Sequence, residues 1–251
     1  VIVSAGGTWG ERARKEGITS FGTISVSYSQ AAYASVGTKI YWFGGGTSST
    51  AYTTIYWFDT ETKEEGTCST TLPAGRATMG CCTVGTQVYL FGGRNCTSTS
   101  NFSTYDTIYV FDAETETITT LDTTLPYALA GMGCCYHNSY IYLFGGARSK
   151  ITIIKTIHKF DIATNTITSC NALPNDIWCS ACINCNGAIL VCGGDSTACR
   201  RDIWYYNPNI NEVIGNFPNY LPRSITGAGY AKDTDGRHYF FGGPSGLGSG
   251  E

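Results

Sequence analysis

Cysteine is the residue type with the greatest chemical potential in this chain, which has 12 of them among 251 residues. Three follow the spacing Cys179-x2-Cys182-x2-Cys185, which is typical of zinc ligands, and Cys192 or His158 could supply the fourth. A high and even number of cysteines is instead typical of disulfides in an oxidising compartment. A third interpretation is that some are buried thiols, which pack as small apolar side chains. We expect disulfides, with no bound metal and no cofactor.

Every cysteine is a disulfide candidate, because too many pairings are possible for the sequence to choose among them. Cys81 and Cys82 are adjacent, and neighbours in a strand face opposite sides of its sheet. We therefore expect the two to face different neighbouring sheets and not to pair with each other. The candidates are Cys68, Cys81, Cys82, Cys96, Cys134, Cys135, Cys170, Cys179, Cys182, Cys185, Cys192 and Cys199.

Two sequons predict glycosylation. Asn95 begins Asn-Cys-Thr and Asn101 begins Asn-Phe-Ser, and both lie in one polar loop. Together with the cysteine content they favour secretion or the extracellular surface.

Catalytic chemistry finds less support in the residues. The three histidines, His137, His158 and His238, are scattered, and nothing in their spacing joins them to a nucleophile. The chain carries 16 Lys and Arg against 19 Asp and Glu, so we expect no nucleic-acid partner. No stretch approaches the ~18 apolar residues of a membrane span.

The elements that must position these residues are short strands in a repeat. Aromatic strands ending in Gly-Gly recur at intervals of 48, 53, 48 and 49 residues. Each follows a hairpin turn and, in the first four units, precedes a variable loop, a second aromatic strand and a Leu-Pro pair. Such a period is typical of a propeller of four-stranded sheets. The five strands are YWFGG (41–45), YLFGG (89–93), YLFGG (142–146), LVCGG (190–194) and YFFGG (239–243).

This pattern resembles the kelch repeat. The resemblance implies an all-β, kelch-type β-propeller of four-stranded antiparallel blades, with five blades, or six if VIVSAGG (1–7) is a further Gly-Gly strand. It also implies that the Gly-Gly pairs are structural. We expect a single domain over residues 1–251. Its blade units are expected at about 29–75, 79–126, 131–174, 180–222 and 225–243, with residues 1–27 available to close the last one.

The loops that follow the Gly-Gly pairs vary most, and loops at the rim of a rigid scaffold commonly bind partners. One of them contains ITIIK (151–155), a β-prone run that either pairs with another chain or extends its own blade.

Four arginines are candidates for binding at this rim. Arg76 and Arg223 follow Leu-Pro pairs, and Arg94 and Arg148 follow Gly-Gly pairs. In kelch domains of the adaptor type, which the chain resembles, residues near this rim bind acidic peptides, so these side chains are expected at the mouth of a pocket. The alternative is a packing role at the start of a strand.

Three functions are compatible with these observations. The leading one is a secreted or cell-surface kelch propeller, stapled by disulfides and glycosylated, with a structural or interaction role in an extracellular assembly. Its partners would be other proteins, glycans or copies of itself. The second is a carbohydrate-active enzyme, since kelch-like propellers include sugar oxidases and a sugar-acid mutarotase. The third is an intracellular kelch adaptor. The missing catalytic set makes an enzyme the less favoured interpretation.

Overall fold

The computed structural model describes residues 29–96, 102–149, 151–185, 187–195, 201–217, 221, 227, 229–232 and 238–241. All regular elements in these residues are β-strands. They are β1 (Ala32–Val36), β2 (Lys39–Phe43), β3 (Ile55–Asp59), β4 (Glu65–Thr67), β5 (Gly80–Val84), β6 (Gln87–Phe91), β7 (Ile108–Asp112), β8 (Thr117–Thr120), β9 (Gly133–His137), β10 (Tyr140–Ser149), β11 (Thr152–Asp161), β12 (Thr166–Ser169), β13 (Ala181–Cys185), β14 (Ala188–Cys192), β15 (Ile203–Asn207), β16 (Glu212–Phe217), β17 (Gly229–Lys232) and β18 (His238–Phe241).

The strands form four antiparallel sheets of four strands and one sheet of two. Each four-stranded sheet takes its strands in chain order, β1–β4, β5–β8, β9–β12 and β13–β16, and β17 pairs with β18. The first strands of successive sheets, β1, β5, β9, β13 and β17, lie beside one another in that order. The sheets are therefore blades in a ring, with their first strands innermost, as the repeat predicts.

Two turns of the blade have the residues that the sequence predicts: the hairpin between the first and second strands, and the turn after the third strand. Gly85, at φ +60°, turns β5 into β6, and Asn138 and Ser139 at φ +48° and +68° turn β9 into β10. The third strands end at a residue whose Oδ1 accepts the N–H two residues further on, at 2.9 Å for Asp112 and 3.0 Å for Asn207.

Aromatic side chains join each blade to the next. The ring of Phe111 in β7 lies 5.3 Å from the rings of both Tyr41 and Phe43 in β2. In the same way, the ring of Phe160 lies 5.6–5.7 Å from the rings of Tyr89 and Phe91. The ring of Tyr206 lies 5.6–5.8 Å from those of Tyr142 and Phe144. The aromatic residues before the first three Gly-Gly pairs thus each contact a ring of the following blade, and such contacts add to the burial of these side chains.

The Gly-Gly pair has a steric cause, which the second blade illustrates. Gly92 has φ +60°, and a Cβ there would lie 2.2 Å from the carbonyl oxygen of Leu129. Gly93 has φ +96°, and its N–H donates to that same oxygen at 2.8 Å. No side chain fits at the first position, and the left-handed backbone favours glycine at both.

The predicted disulfides are absent among the cysteines named here. Those present as free thiols are Cys68, Cys81, Cys82, Cys134, Cys135, Cys170, Cys179, Cys182, Cys185 and Cys192. The reason is visible in the strands that begin Gly-Cys-Cys. The sulfur of Cys134 lies over Gly80, where a Cβ would be 2.7 Å from it, and the sulfur of Cys182 lies over Gly133, at 2.5 Å. Each of these sulfurs packs over the backbone of a glycine in the preceding blade and forms no disulfide with the cysteines near it.

The two cysteines of each Gly-Cys-Cys strand belong to different cores, as their alternation in the strand predicts. Cys81 packs against the core between the first and second blades, and Cys82 against the core between the second and third. Burial raises the pKa of Cys82 to about 12, and it raises that of Cys81 further. Both are therefore protonated packing residues, which was the third interpretation of the cysteines.

The run ITIIK extends its own blade. Residues 152–155 belong to β11, and Ile153 and Ile154 pair with Ala147 and Gly146 of β10. The two strands continue past the Gly-Gly pair as a hairpin, which leaves Ile151 at the tip with 90% of its surface exposed. Of the other predictions, closure by residues 1–27, the acceptor Asn101, and the roles of Cys199 and Arg223 lie outside the described residues.

Candidate functional site

Two sets of connections lie at the same end of the strands and form what we call the loop face. They are the connections from the second to the third strand of a blade and those from one blade to the next, because the strands alternate in direction. Arg76 and Arg94 belong to these connections, and Arg148 lies in β10, one residue before the end of that strand at the same face. The predicted rim arginines that the structure describes therefore share one face.

A chain of backbone hydrogen bonds runs from blade to blade at this face. Thr78 donates to the carbonyl of Gln30, Gly131 to that of Thr78, Cys179 to that of Gly131 and Gly227 to that of Cys179, at 2.6–2.9 Å. All five residues have φ between +54° and +66°. The connections between blades are thus tied to one another in a fixed left-handed conformation, which makes a rigid base for the side chains around them.

Arg94 is fully buried beside this backbone chain. Its Nε donates to Oγ1 of Thr78 at 3.0 Å, and its guanidinium also donates to Oε1 of Gln30. The rings of Phe102 and Trp178 lie 4.8 and 5.7 Å from its Cζ. Burial lowers the pKa of Arg94 from its usual value. Arg94 therefore contacts the segments that lead into the first, second and fourth blades, and such contacts fit a packing role.

Arg76 is also buried, with 5% of its surface exposed. Its Cζ lies 3.4 Å from the ring centroid of Tyr105 and 5.7 Å from that of Tyr109, and its Nη1 donates to the carbonyl of Gly75 at 3.0 Å. Its Nε is buried and has no hydrogen-bond partner among the residues that the structure describes. Arg76 thus combines aromatic stacking with an unsatisfied donor.

Arg148 is exposed, unlike Arg76 and Arg94, so of these three arginines it is the one available to a partner. Its Cζ lies 4.8 Å from the ring of Tyr127. The hydroxyl of Tyr127 lies 3.1 Å from Nε2 of His158, which is buried, and Nδ1 of His158 lies 3.4 Å from Oγ of Ser169. Burial lowers the pKa of His158, so the ring is neutral at physiological pH. A fixed tyrosine ring therefore orients an exposed cation.

Comparison with known protein families shows to which family the chain belongs. The KLHDC2/KLHL20/DRC7 Kelch-repeats domain matches residues 29–243. The chain belongs to this family. The match covers the four complete blades and the two-stranded sheet, so it includes every side chain described at the loop face. Comparison with the curated proteins found no match.

Two other groups of predicted site residues lie in the described part of this kelch domain: the sequon residue Asn95, which directly follows Arg94, and the cysteines with the spacing of zinc ligands. Asn95 is exposed, and its Oδ1 accepts the N–H of Ser103 at 2.9 Å. Among the described residues, no group of three or more His, Cys, Asp or Glu is placed to hold a metal, so Cys179, Cys182 and Cys185 do not form the zinc site of the first alternative. Within the same part of the chain, no helix has the length and apolar character that a membrane crossing needs.

Sequence reasoning missed the contacts between Arg148, Tyr127 and His158. Tyr127 follows a Leu-Pro pair, and His158 lies 31 residues later in the next blade. The signal that could have located them is the repeat itself, because the connection after a Leu-Pro pair leads into the next blade and lies beside that blade's second and third strands. The contact between His158 and Ser169 joins two residues that are directly opposite each other in β11 and β12.

Proposed function

We propose that this kelch propeller is a protein-interaction module that recognises an acidic peptide segment at its loop face. The observation that carries the proposal is the exposed guanidinium of Arg148, stacked on Tyr127 while the tyrosine is held by buried His158. A cation oriented in this way binds a carboxylate with little loss of side-chain freedom. The rigid backbone chain between the blades fixes the position of the neighbouring connections.

The test is direct binding of the full chain to a fluorescent glutamate-rich peptide, measured by anisotropy at low and physiological salt. Arg148→Glu is expected to weaken binding at least ~10-fold, since it replaces the attractive charge by a repulsive one. Lys39→Glu is the matched control. Lys39 also lies over an aromatic ring, with Nζ 4.4 Å from the ring of Trp57, but it belongs to the opposite end of the strands. Equal losses in both variants would show that net charge, not the loop face, determines binding.

We further propose that the protein is extracellular and carries a glycan on Asn95, an inference supported by the two sequons and by the exposure of this side chain. The glycan would be attached to the side-chain nitrogen of Asn95, while its Oδ1 accepts the N–H of Ser103. The free thiols give no further support to this location. Intact mass of native material before and after enzymatic deglycosylation tests it: we expect a loss of glycan mass, and Asn95→Gln should remove part of that loss. An unchanged native mass contradicts the proposal.

A further inference from the structure

His158 occupies a position of the third strand that the other complete blades fill with tyrosine or tryptophan. The equivalent residues are Tyr56, Tyr109 and Trp204, and all four side chains are buried. Each lies opposite an exposed residue of the outermost strand, and these residues are Thr67, Thr120, Ser169 and Asn216. Among the four blades with all four strands described, the third alone therefore places a buried base opposite an exposed hydroxyl.

The imidazole of His158 has a polar partner at each of its two nitrogens. Its Nδ1 lies 3.4 Å from Oγ of Ser169, and its Nε2 lies 3.1 Å from the hydroxyl of Tyr127. In the tautomer that donates Nε2–H to the oxygen of Tyr127, the lone pair of Nδ1 faces Ser169. Burial lowers the pKa of His158, so the ring is neutral and can take up a proton. A serine becomes a nucleophile when such a base lies beside its hydroxyl, and the two groups are often further apart before a substrate binds.

We propose that Ser169 is a nucleophile that accepts the acyl group of an activated ester, with His158 as its general base. Oγ of Ser169 attacks the carbonyl carbon of the ester, and the hydroxyl proton passes to Nδ1 of His158. The bond from this carbon to the leaving oxygen then breaks, and the leaving oxygen takes the proton from Nδ1. The products are O-acylated Ser169 and a phenol or alcohol, and no oxidant or reductant takes part.

The N–H groups that follow Ser169 restrict the class of ester. The N–H of Cys170 donates to the carbonyl of Ile157 at 2.8 Å, and that of Asn171 donates to Oδ1 of Asn211 at 2.9 Å. Both are engaged within the fold and do not stabilise an oxyanion at Ser169. We therefore expect reaction with aryl esters, whose leaving group needs little assistance, and not with alkyl esters or amides. The reaction requires no bound peptide, so it is independent of the contact proposed at the loop face.

Acetylation of the full chain by p-nitrophenyl acetate tests the proposal, with the modified residues located by peptide mass mapping. Rates are followed at Ser169 itself, because lysine amines react with the same ester. Ser169→Ala should remove this acetyl group, and His158→Gln should slow its formation at least ~100-fold, which is the usual contribution of a general base. Thr120→Ser is the matched control. It places the same hydroxyl opposite Tyr109 in the second blade, and this hydroxyl should remain unmodified.

Three results would overturn the proposal: no acetyl group at Ser169, an equal rate there in wild type and His158→Gln, or equal modification of the hydroxyl introduced by Thr120→Ser. The last result would mean that exposure alone determines the reaction. Since His158 is buried, urea unfolding shows whether His158→Gln folds, and if it does not, Thr120→Ser decides the question.

The fate of the acetyl group identifies the reaction. Cys170 follows Ser169 in the chain, and an acetyl group on its sulfur would be a thioester, which neutral hydroxylamine removes. Complete removal by hydroxylamine would assign the reaction to the thiol and overturn the proposal. An acetyl group that persists on Ser169 supports a site of acyl modification. Repeated release of p-nitrophenolate that Ser169→Ala abolishes supports an esterase that uses the same two residues.

Discussion

The substitution Gly80→Ala tests the contact that explains the Gly-Cys-Cys strands. A Cβ at Gly80 would lie 2.7 Å from the sulfur of Cys134, about 0.7 Å inside the shortest ordinary contact, and the next atoms, both of Met132, lie at 3.4 and 3.5 Å. The backbone itself tolerates alanine, because Ala32 and Ala181 begin the corresponding strands of the first and fourth blades. The whole penalty is therefore overpacking against one sulfur.

Overpacking of this size costs about 2 kcal/mol, which lowers Tm by about 4–8 °C in a protein of this length. In a Cys134→Ala background the sulfur is gone, and Gly80→Ala should cost less than about 0.5 kcal/mol or even stabilise the fold by restricting the unfolded chain. The assay is urea and thermal unfolding of the wild type, both single variants and the double variant under reducing conditions.

A second site provides the matched comparison. At Gly133 a Cβ would lie 2.5 Å from both the sulfur of Cys182 and the hydroxyl of Ser180. Cys182→Ala should therefore rescue Gly133→Ala only in part, whereas Cys134→Ala should rescue Gly80→Ala almost completely. Equal penalties for Gly80→Ala with and without Cys134 would refute the idea that the sulfur sets the residue type of the preceding blade.

Two further predictions concern pH. Hydrogen bonds, first of all from the N–H of Thr115, lower the pKa of Asp112. The contribution of this carboxylate to stability is therefore present above its unfolded pKa and is lost as pH falls through the lowered value. Asp112→Asn should keep the turn, as Asn207 does in the fourth blade, and flatten urea midpoints measured between pH 5 and pH 2, whereas an unchanged acid response would contradict this. Burial raises the pKa of Cys192 to about 12, so the contribution of this thiol to stability is complete below its unfolded pKa and is lost as pH rises toward 12. Cys192→Ala should therefore reduce the loss of stability that is measured between pH 8 and pH 10.5. An equal loss in wild type and variant would exclude this residue as its source.

The features of the fold that repeat along the chain could be predicted from the sequence. The hairpin turn, the aromatic strand and the Gly-Gly pair each depend on residues that are close in sequence. Every copy of the repeat therefore shows the same requirement for a turn or for a left-handed backbone. Disulfides were predicted from the number of cysteines, which is a property of composition and contains no information on neighbours in space. The sulfur of Cys134 meets a glycine 54 residues earlier in the chain, and only the packing of one blade on the next shows that contact.

The candidate site was predicted to the level of its arginines but not of their roles. Arg76, Arg94 and Arg148 share one face, as the repeat implies, yet two are buried and one is exposed. Burial depends on what surrounds each arginine in space: Phe102, in the same connection as Arg94, and Trp178, in the connection between the third and fourth blades, both lie beside its guanidinium. The position of an arginine within the repeat determines the face of the propeller on which it lies. Its contacts with surrounding residues determine whether its side chain is exposed and can bind a partner.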